Sequence, residues 1–312
     1  MQINDRLYIK SINKVIDYIE RNITKTFTLD ELSDCANFSK FHFNRIFHSI
    51  VKESPFQFIM RLRLEKSASL LLSRPNESLS EIAAQCGFSD LSVFSRNFKK
   101  YFNSSPSVYK REASKNSNIR QIDSNDQQAN AQIDKYFCPD SKTVKWISNM
   151  EIIKNVEVLS LPQMTVAYTR NLGPYNGNNE LYQKHREELL SWAAARDLMN
   201  YEDFKYLILY HDNPTVALNS NQRMSLCVVV PPDTLTTGTI GKMDIEKGKY
   251  VVCQLNLSAK DFPKAWDWIF NKWFPDSGYV PDNKPYFEVY PEQPKGEIFR
   301  VDICIPVKPV KK

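Results

Sequence analysis

Residues 28–47, TLDELSDCANFSKFHFNRIF, can be written over residues 78–98, SLSEIAAQCGFSDLSVFSRNF, with one extra residue in the second copy. A segment that occurs twice must satisfy the same local rules twice, which narrows the structures open to it. Each copy begins as a helix begins: Thr28 with Glu31, and Ser78 with Glu81, have the spacing of a capping box. Leu29 and Leu32 in the first copy, and Leu79 and Ile82 in the second, then give a short helix one apolar side. Asn37 and Gly87 follow, both tolerant of a left-handed turn. Past the turn each copy reads F-x-R-x-F: Phe43, Arg45 and Phe47, then Phe94, Arg96 and Phe98. Ser54–Pro55 and Ser105–Pro106 start a further turn or helix after each copy. A long helix, from about Phe56 to Leu72, bridges them.

Helix, tight turn, helix, twice over, is a tandem helix-turn-helix pattern. Charge agrees with it. Residues 1–115 hold 18 Lys/Arg against 12 Asp/Glu, while the remainder of the chain holds 23 against 24. The excess positive charge therefore sits where a polyanion would dock. The second helix of each unit would enter the major groove. In the first unit it runs from about Lys40 to Ile50, with Phe43, Ile46, Phe47 and Ile50 as its apolar stripe. In the second it starts near Leu91, with Val93 or Phe94 and Phe98 inward. Arg45 and Arg96 occupy the same place in both repeats and can each grip a guanine bidentately; Asn44 can pair with adenine and Phe41 can pack on a thymine methyl. Lys40, Arg61, Arg63, Lys99, Lys100 and Lys110 are expected to hold phosphates.

Between Ser114 and Asp140 the text turns to Asn, Gln, Ser and Asp with no lasting period, which predicts a polar linker over 114–148 between domains at 1–113 and 149–312. The C-terminal part is also duplicated. TVAYTRNLGPY, a helix with Trp192, FKYLILYHDNP and RMSLCVVVP match KYVVCQLNL, a helix with Trp266 and Trp268, KPYFEVYPEQP and FRVDICIPV. The order is β-α-β-β twice, an α+β domain with one antiparallel sheet and helices on one face. The expected chain is multidomain, an all-α tandem helix-turn-helix domain followed by that duplicated unit.

Within the last match, Glu288 stands between Tyr286 and Tyr290 at alternate positions of a strand, so the three share a face. The first half carries Tyr206, Ile208 and Tyr210 there, so the scaffold does not require an acid. If two halves face each other, both tyrosine pairs and one carboxylate meet in a concavity suited to a lipophilic cation. If the face meets water, the acid has no such role. Both readings stand on these residues alone.

Two resemblances add to this. Residues 5–112 resemble the AraC/XylS family of transcription regulators, whose DNA-binding domain is two helix-turn-helix units bridged by a helix. Lys52 departs from the glycine that many members carry. The resemblance implies base contacts from Phe41, Asn44, Arg45, Leu91, Ser92, Ser95 and Arg96. Residues 151–308 resemble the GyrI-like small-molecule-binding domain through VAYTRNLGPY, SGY, FEVY and DICIPV, in an arrangement similar to Rob-like members. That resemblance implies Glu288 as the pocket acid for a cationic amphipathic ligand. Tyr168, Tyr206, Tyr286 and Trp273 are expected walls, with Trp192 and Trp266 in the core. The expected function is a DNA-binding regulator that senses a small molecule, with promoter DNA, the effector and RNA polymerase as partners.

Other classes are less favoured. Six scattered cysteines lack C-x-x-C spacing, so no metal or disulfide framework is expected. The longest apolar run, LCVVV, falls far short of the roughly 20 residues of a membrane span, and the charged N-terminal stretch does not read as a secretory signal, so a cytoplasmic protein is expected. No catalytic residue or cofactor is expected, because nothing beyond Glu288 supplies a nucleophile or oxyanion donor. A hydrolase acting on a reactive small molecule, or an inhibitor module that binds a protein, are the alternatives.

Overall fold

The computed structural model describes residues 3–74, 76–112, 134–138, 143–148, 150–175, 178–213, 216–282, 284–292 and 296–310. The chain divides into two compact units, the first holding the helices up to residue 112 and the second most of the sheet.

The first unit contains α1 (Ile3–Arg21), α2 (Leu29–Ala36), α3 (Lys40–Val51), α4 (Pro55–Ser73), α5 (Leu79–Gln85), α6 (Leu91–Phe102) and helical residues 106–112, α7. The helix starts follow the capping logic, with one difference. Ser78 and Glu81 make the full reciprocal box, with Ser78 N donating to Glu81 Oε2 at 2.8 Å and Glu81 N donating to Ser78 Oγ at 3.2 Å. Thr28 Oγ1 accepts from Glu31 N, but the Glu31 carboxylate is taken by the Tyr18 hydroxyl and Lys25. Ser54 caps α4 with Pro55 at its first position and completes a box with Gln57. Inside, Phe43 packs against Phe47 and Phe47 against Phe58, and a second cluster joins Leu64, Ala68, Ile82, Phe94 and Phe98.

The turn residues adopt the left-handed region, Asn37 at φ +57° and Gly87 at φ +82°. They are not equivalent. A Cβ at Gly87 would lie 2.8 Å from both the Ile23 carbonyl oxygen and the Thr24 Cα. Arg63 closes the same place, its Nε donating to the Ile23 carbonyl at 2.9 Å and its Nη2 to that of Lys25 at 2.6 Å. Gly87→Ala is expected to destabilise the domain by about 2–5 kcal/mol, summing the left-handed strain with overpacking against backbone. Asn37→Ala, where the residue is exposed, should cost about 1 kcal/mol. Denaturant midpoints of the two variants check the difference; equal losses would mean that the close approach at Gly87 is relieved by a small shift.

The second unit has β1 (Asp134–Cys138), β2 (Thr143–Ile147), β3 (Ile153–Leu161), β4 (Met164–Leu172), α8 (Asn179–Ala194), β5 (Tyr206–Tyr210), β6 (Arg223–Val229), β7 (Gly241–Ile245), β8 (Gly248–Ser258), α9 (Phe262–Trp268), β9 (Tyr279–Pro281), β10 (Tyr286–Tyr290) and β11 (Ile298–Pro309). The helix begun by α9 continues through a π turn at Ile269–Trp273 and α10, Phe274–Ser277. Strand order is β1-β2-β3-β8-β11-β10-β5-β6-β4-β7, with β9 on β11. The duplicated units are β4–α8–β5–β6 and β8–α9–β10–β11. Their strands run outward in the same order from the central β5–β10 pair, so the halves join edge to edge in one sheet. They do not face each other across a gap.

Strand alternation sorts the core into two faces. Val251, Cys253, Leu255, Ile303 and Ile305 pack with Ala265, Trp268 and Ile269 of the helix on one side. Tyr168, Leu207, Leu209, Val252, Phe287 and Cys304 form the other cluster.

The expected linker over 114–148 needs correction at its C-terminal end. Residues 113–133 and 139–142 lie outside the described residues, but β1 and β2 pair as a hairpin and β2 adds to β3 through Lys145↔Glu157 and Trp146↔Val156. Trp146 is 5% exposed and meets Trp273 edge to face at 5.3 Å. The polar stretch ahead of these two short strands masks them in the composition.

Candidate functional site

At the centre of the sheet, β5 and β10 pair antiparallel with Tyr206↔Tyr290, Ile208↔Glu288 and Tyr210↔Tyr286 in register. The repeat axis passes between Ile208 and Glu288, so both tyrosine pairs surround one carboxylate. Glu288 is 1% exposed, which removes the reading in which it faces water. Its Oε2 accepts from the Tyr210 and Tyr290 hydroxyls, each at 2.8 Å, and its Oε1 accepts from Trp266 Nε1 at 3.1 Å. All three donors are neutral.

Rings line the approach. Tyr206 lies 5.9 Å from Tyr290, Tyr175 5.9 Å from Tyr210, and Phe270 stacks on Trp266 at 6.1 Å and meets Tyr286 at 5.8 Å. Tyr206, Tyr210, Trp266, Phe270, Tyr286 and Tyr290 are only half-buried. Each of these residues keeps part of its surface exposed, while the acid they surround is buried.

Burial pushes the Glu288 carboxyl above its usual range, and the hydrogen bonds from Tyr290, Tyr210 and Trp266 pull it partly back. Burial and the neighbouring Glu288 charge push Tyr182 up to about 12 and raise Tyr210 and Tyr290 well above the ordinary tyrosine value. A lone carboxylate taken out of water costs several kcal/mol unless its charge is compensated. The three donors give hydrogen bonds to both of its oxygens and bring no positive charge to it.

A pH dependence follows. The folded pKa is raised, so the folded state holds the proton more tightly than the unfolded chain. Stability from this group is full below the ordinary value of 4.5 and is lost as pH rises through the folded pKa. Glu288→Gln should lack that decline, and the stability gap between the two proteins should widen at up to about 1.4 kcal/mol per pH unit across the window. Urea unfolding from pH 4 upward reads it, and parallel curves would mean that the carboxyl titrates normally.

The expected walls divide. Tyr206 and Tyr286 share the Glu288 face. Tyr168 is on the opposite face, fully buried under the Arg170 guanidinium at 4.7 Å. Trp273 is fully buried in the core against Trp146 and Tyr279. Trp192 is buried, as a core residue would be. Trp266, expected in the core, instead donates to the acid. Tyr182, Tyr175 and Phe270 were not legible as site residues; helical or loop positions gave no face for them. Tyr210 and Tyr290 were visible through the repeated Y-x-x-x-Y spacing.

On the helical domain, the starts of α3 and α6 hold the expected base readers. Phe41 is 92% exposed and Leu91 41%. Asn44, Arg45, Ser92 and Arg96 are exposed and Ser95 half-buried. Arg45 Nη2 lies 3.4 Å from His42 Nδ1. Phe94 takes the core position and leaves Val93 42% exposed beside the readers. The expected phosphate contacts fare unevenly. Lys99 and Lys100 are exposed in the last turn of α6, and Lys40 is exposed beside Asp30. Arg61 is buried between Glu53 and Glu65, Arg63 is spent on backbone carbonyls, and Lys110 reaches the Glu77 carbonyl. Those three serve the fold in place of the phosphate-binding role expected of them.

Among the described residues no group of His, Cys, Asp or Glu could hold a metal ion, and no helix is long and apolar enough to cross a membrane.

Two paired recognition helices and a separate aromatic-lined acid define a class: proteins that join a DNA-binding module to a ligand-binding one. Residues 32–112 match a helix-turn-helix domain and residues 154–308 the GyrI-like small molecule binding domain. The DNA gyrase inhibitor of Escherichia coli (strain K12) is 30% identical over 139 residues, 44% of this chain and 85% of that protein. The uncharacterized HTH-type transcriptional regulator YbfP of Bacillus subtilis (strain 168) is 32% identical over 103 residues, 33% of this chain and 35% of that protein's length. The solved C-terminal domain of EcmrR aligns over 51% of this chain and 99% of its own, at 18% identity and a TM-score of 0.39. The chain belongs to the AraC-type helix-turn-helix proteins that carry a GyrI-like domain.

Proposed function

We propose that this protein is a cytoplasmic transcription regulator that reads promoter DNA through α3 and α6 and senses a lipophilic cation at Glu288. The observation that carries the ligand reading is a fully buried carboxylate with three neutral donors and half-open rings around it. Aromatic faces attract a cation, and the acid neutralises it. Base contacts come from Phe41, Asn44, Arg45, Leu91, Ser92, Ser95 and Arg96, and phosphate contacts from Lys40, Lys99 and Lys100. The effector alters engagement of DNA or RNA polymerase by binding one arrangement of the protein better than another.

Catalysis is the less favoured reading. Among the described residues no group of His, Cys, Asp or Glu stands with Glu288 that could hold a metal ion for a hydrolytic step. The test is thermal stabilisation of the full chain by lipophilic cations, neutral isosteres and anions. A shift confined to cations supports the sensor, equal shifts by the neutral isosteres remove the charge reading, and conversion of a bound compound to product would favour the enzyme.

A further inference from the structure

Arg61, Glu65, Glu53 and Tyr101 form a buried polar network between the two helix-turn-helix units. Arg61 and Glu65 are 6% and 5% exposed. The Arg61 guanidinium uses both edges. Its Nε donates to Glu53 at 3.0 Å, in the turn that follows α3, and Nη2 reaches the same carboxylate. Its Nη1 donates to Glu65 Oε2 at 3.0 Å. The other Glu65 oxygen accepts from the Tyr101 hydroxyl of α6 at 2.7 Å. One unbroken chain of hydrogen bonds therefore runs from the end of α3, across α4, to α6.

Apolar contacts hold the same helices, through Phe47 with Phe58 and through Phe94 and Phe98 with Leu64 and Ala68. Burial of that kind is non-directional and rewards contact more than one particular separation and angle. Short charge-assisted bonds lose their strength when distance or angle changes. A buried ion pair adds little net stability against an apolar replacement, while it can select one arrangement among several. Lysine is a poor replacement for Arg61, because it lacks the planar fork that holds Nε and Nη2 on Glu53 and Nη1 on Glu65 at fixed angles.

We propose that Arg61, Glu65 and Tyr101 are positioning residues that fix the separation and angle of α3 and α6, and so set the spacing between the two DNA segments one chain reads. This rests on the reading of α3 and α6 as groove-entering helices. The 19-residue α4 is a rod of roughly 28 Å at 1.5 Å per residue. Inserting one base pair moves the second segment by about 3.4 Å and turns it by about 35°. A rigid pair of helices cannot follow that change, and a loosened pair can.

The test uses the full chain. Its preferred site is selected from random duplex DNA, and affinity is measured for that site and for versions with one base pair inserted or deleted between the two contacted segments. Wild type should lose roughly 30-fold on either change, the scale of one bidentate base interaction. Tyr101→Phe, which deletes one hydroxyl, and Arg61→Met with Glu65→Leu, which replaces the buried ion pair by apolar groups, should cut that penalty to about fivefold or less while binding the preferred site within a few-fold of wild type. Melting temperatures run alongside separate loosened geometry from loss of fold. A spacing penalty that stays at the wild-type level in both variants, with or without lower melting temperatures, overturns the inference. If Arg45→Ala with Arg96→Ala binds the selected site as wild type does, the groove reading fails, and the inference with it.

Discussion

Full-length protein carrying Arg45→Ala and Arg96→Ala together is expected to lose sequence-specific DNA binding almost entirely. Both arginines stand six residues after the cap of their helix, Ser39 for α3 and Asp90 for α6, and both are exposed. A bidentate arginine–guanine contact is worth about 1–3 kcal/mol of discrimination. The two residues sit on different helices and share no partner, so their effects should add, giving about 2–6 kcal/mol, or roughly 30-fold to more than 10⁴-fold. Lys99→Ala with Lys100→Ala should act differently, weakening all sequences alike and flattening the salt dependence by about one unit of slope for each phosphate no longer neutralised. Anisotropy titrations on a selected site and on unrelated DNA, at fixed salt, separate the two. A double arginine variant that keeps its ratio of specific to non-specific affinity would show that α3 and α6 do not read bases through these side chains.

The second large effect is at Glu288. Glu288→Gln keeps the shape and one acceptor oxygen and removes the charge. For a lipophilic cation seated on the carboxylate, loss of the buried partner should cost about 2–5 kcal/mol, at least about 30-fold in affinity. Neutral compounds of the same shape should bind both proteins alike, because the rings of Tyr206, Trp266, Phe270, Tyr286 and Tyr290 are untouched. Tyr290→Phe should cost less, about 1.5–3 kcal/mol, since it removes one hydrogen bond to a charged group and leaves the charge in place. Calorimetry with a cation and its neutral isostere measures both. If Glu288→Gln binds the cation as wild type does, the acid is a structural residue, and recognition there rests on shape.

Much of the helical domain was legible because its signals are local. A capping residue, an apolar pair and a left-handed turn residue each act within a few positions, and the repeat showed the same set twice. Asn37 and Gly87 illustrate the limit. Both were readable as turn residues, but only the folded chain shows that Gly87 lies against the backbone at Ile23 and Thr24 and must be glycine. The three cations whose ends are taken up by groups of the fold share one cause. Arg61, Arg63 and Lys110 carry the same charge whether they face DNA, a carboxylate or a carbonyl, and the partners that decide it lie 4 to 40 residues away in sequence.

The proposed ligand site divides along the same line. Glu288 and its two strand tyrosines were visible because strand alternation is a local rule. Tyr168 was misplaced because its face depends on how β4 registers against β6, and Trp273 because a helix can present a ring to the core or to a site with the same spacing. Trp266 and Tyr182 needed the helices to be laid over the sheet before either could touch the acid or its neighbours.

By itself the sequence determined the two domains, the duplication inside each, the helix-turn-helix order, and an acid that breaks the symmetry of its repeat. Those are matters of periodicity and composition, which neighbouring residues decide. Only the tertiary structure decided that β5 and β10 lie side by side with Ile208 opposite Glu288, that the acid is sealed, and that Arg61 and Glu65 together link the two helical units. Register and burial are set by interactions between residues far apart in the chain, and their free energy has no expression until the segments meet.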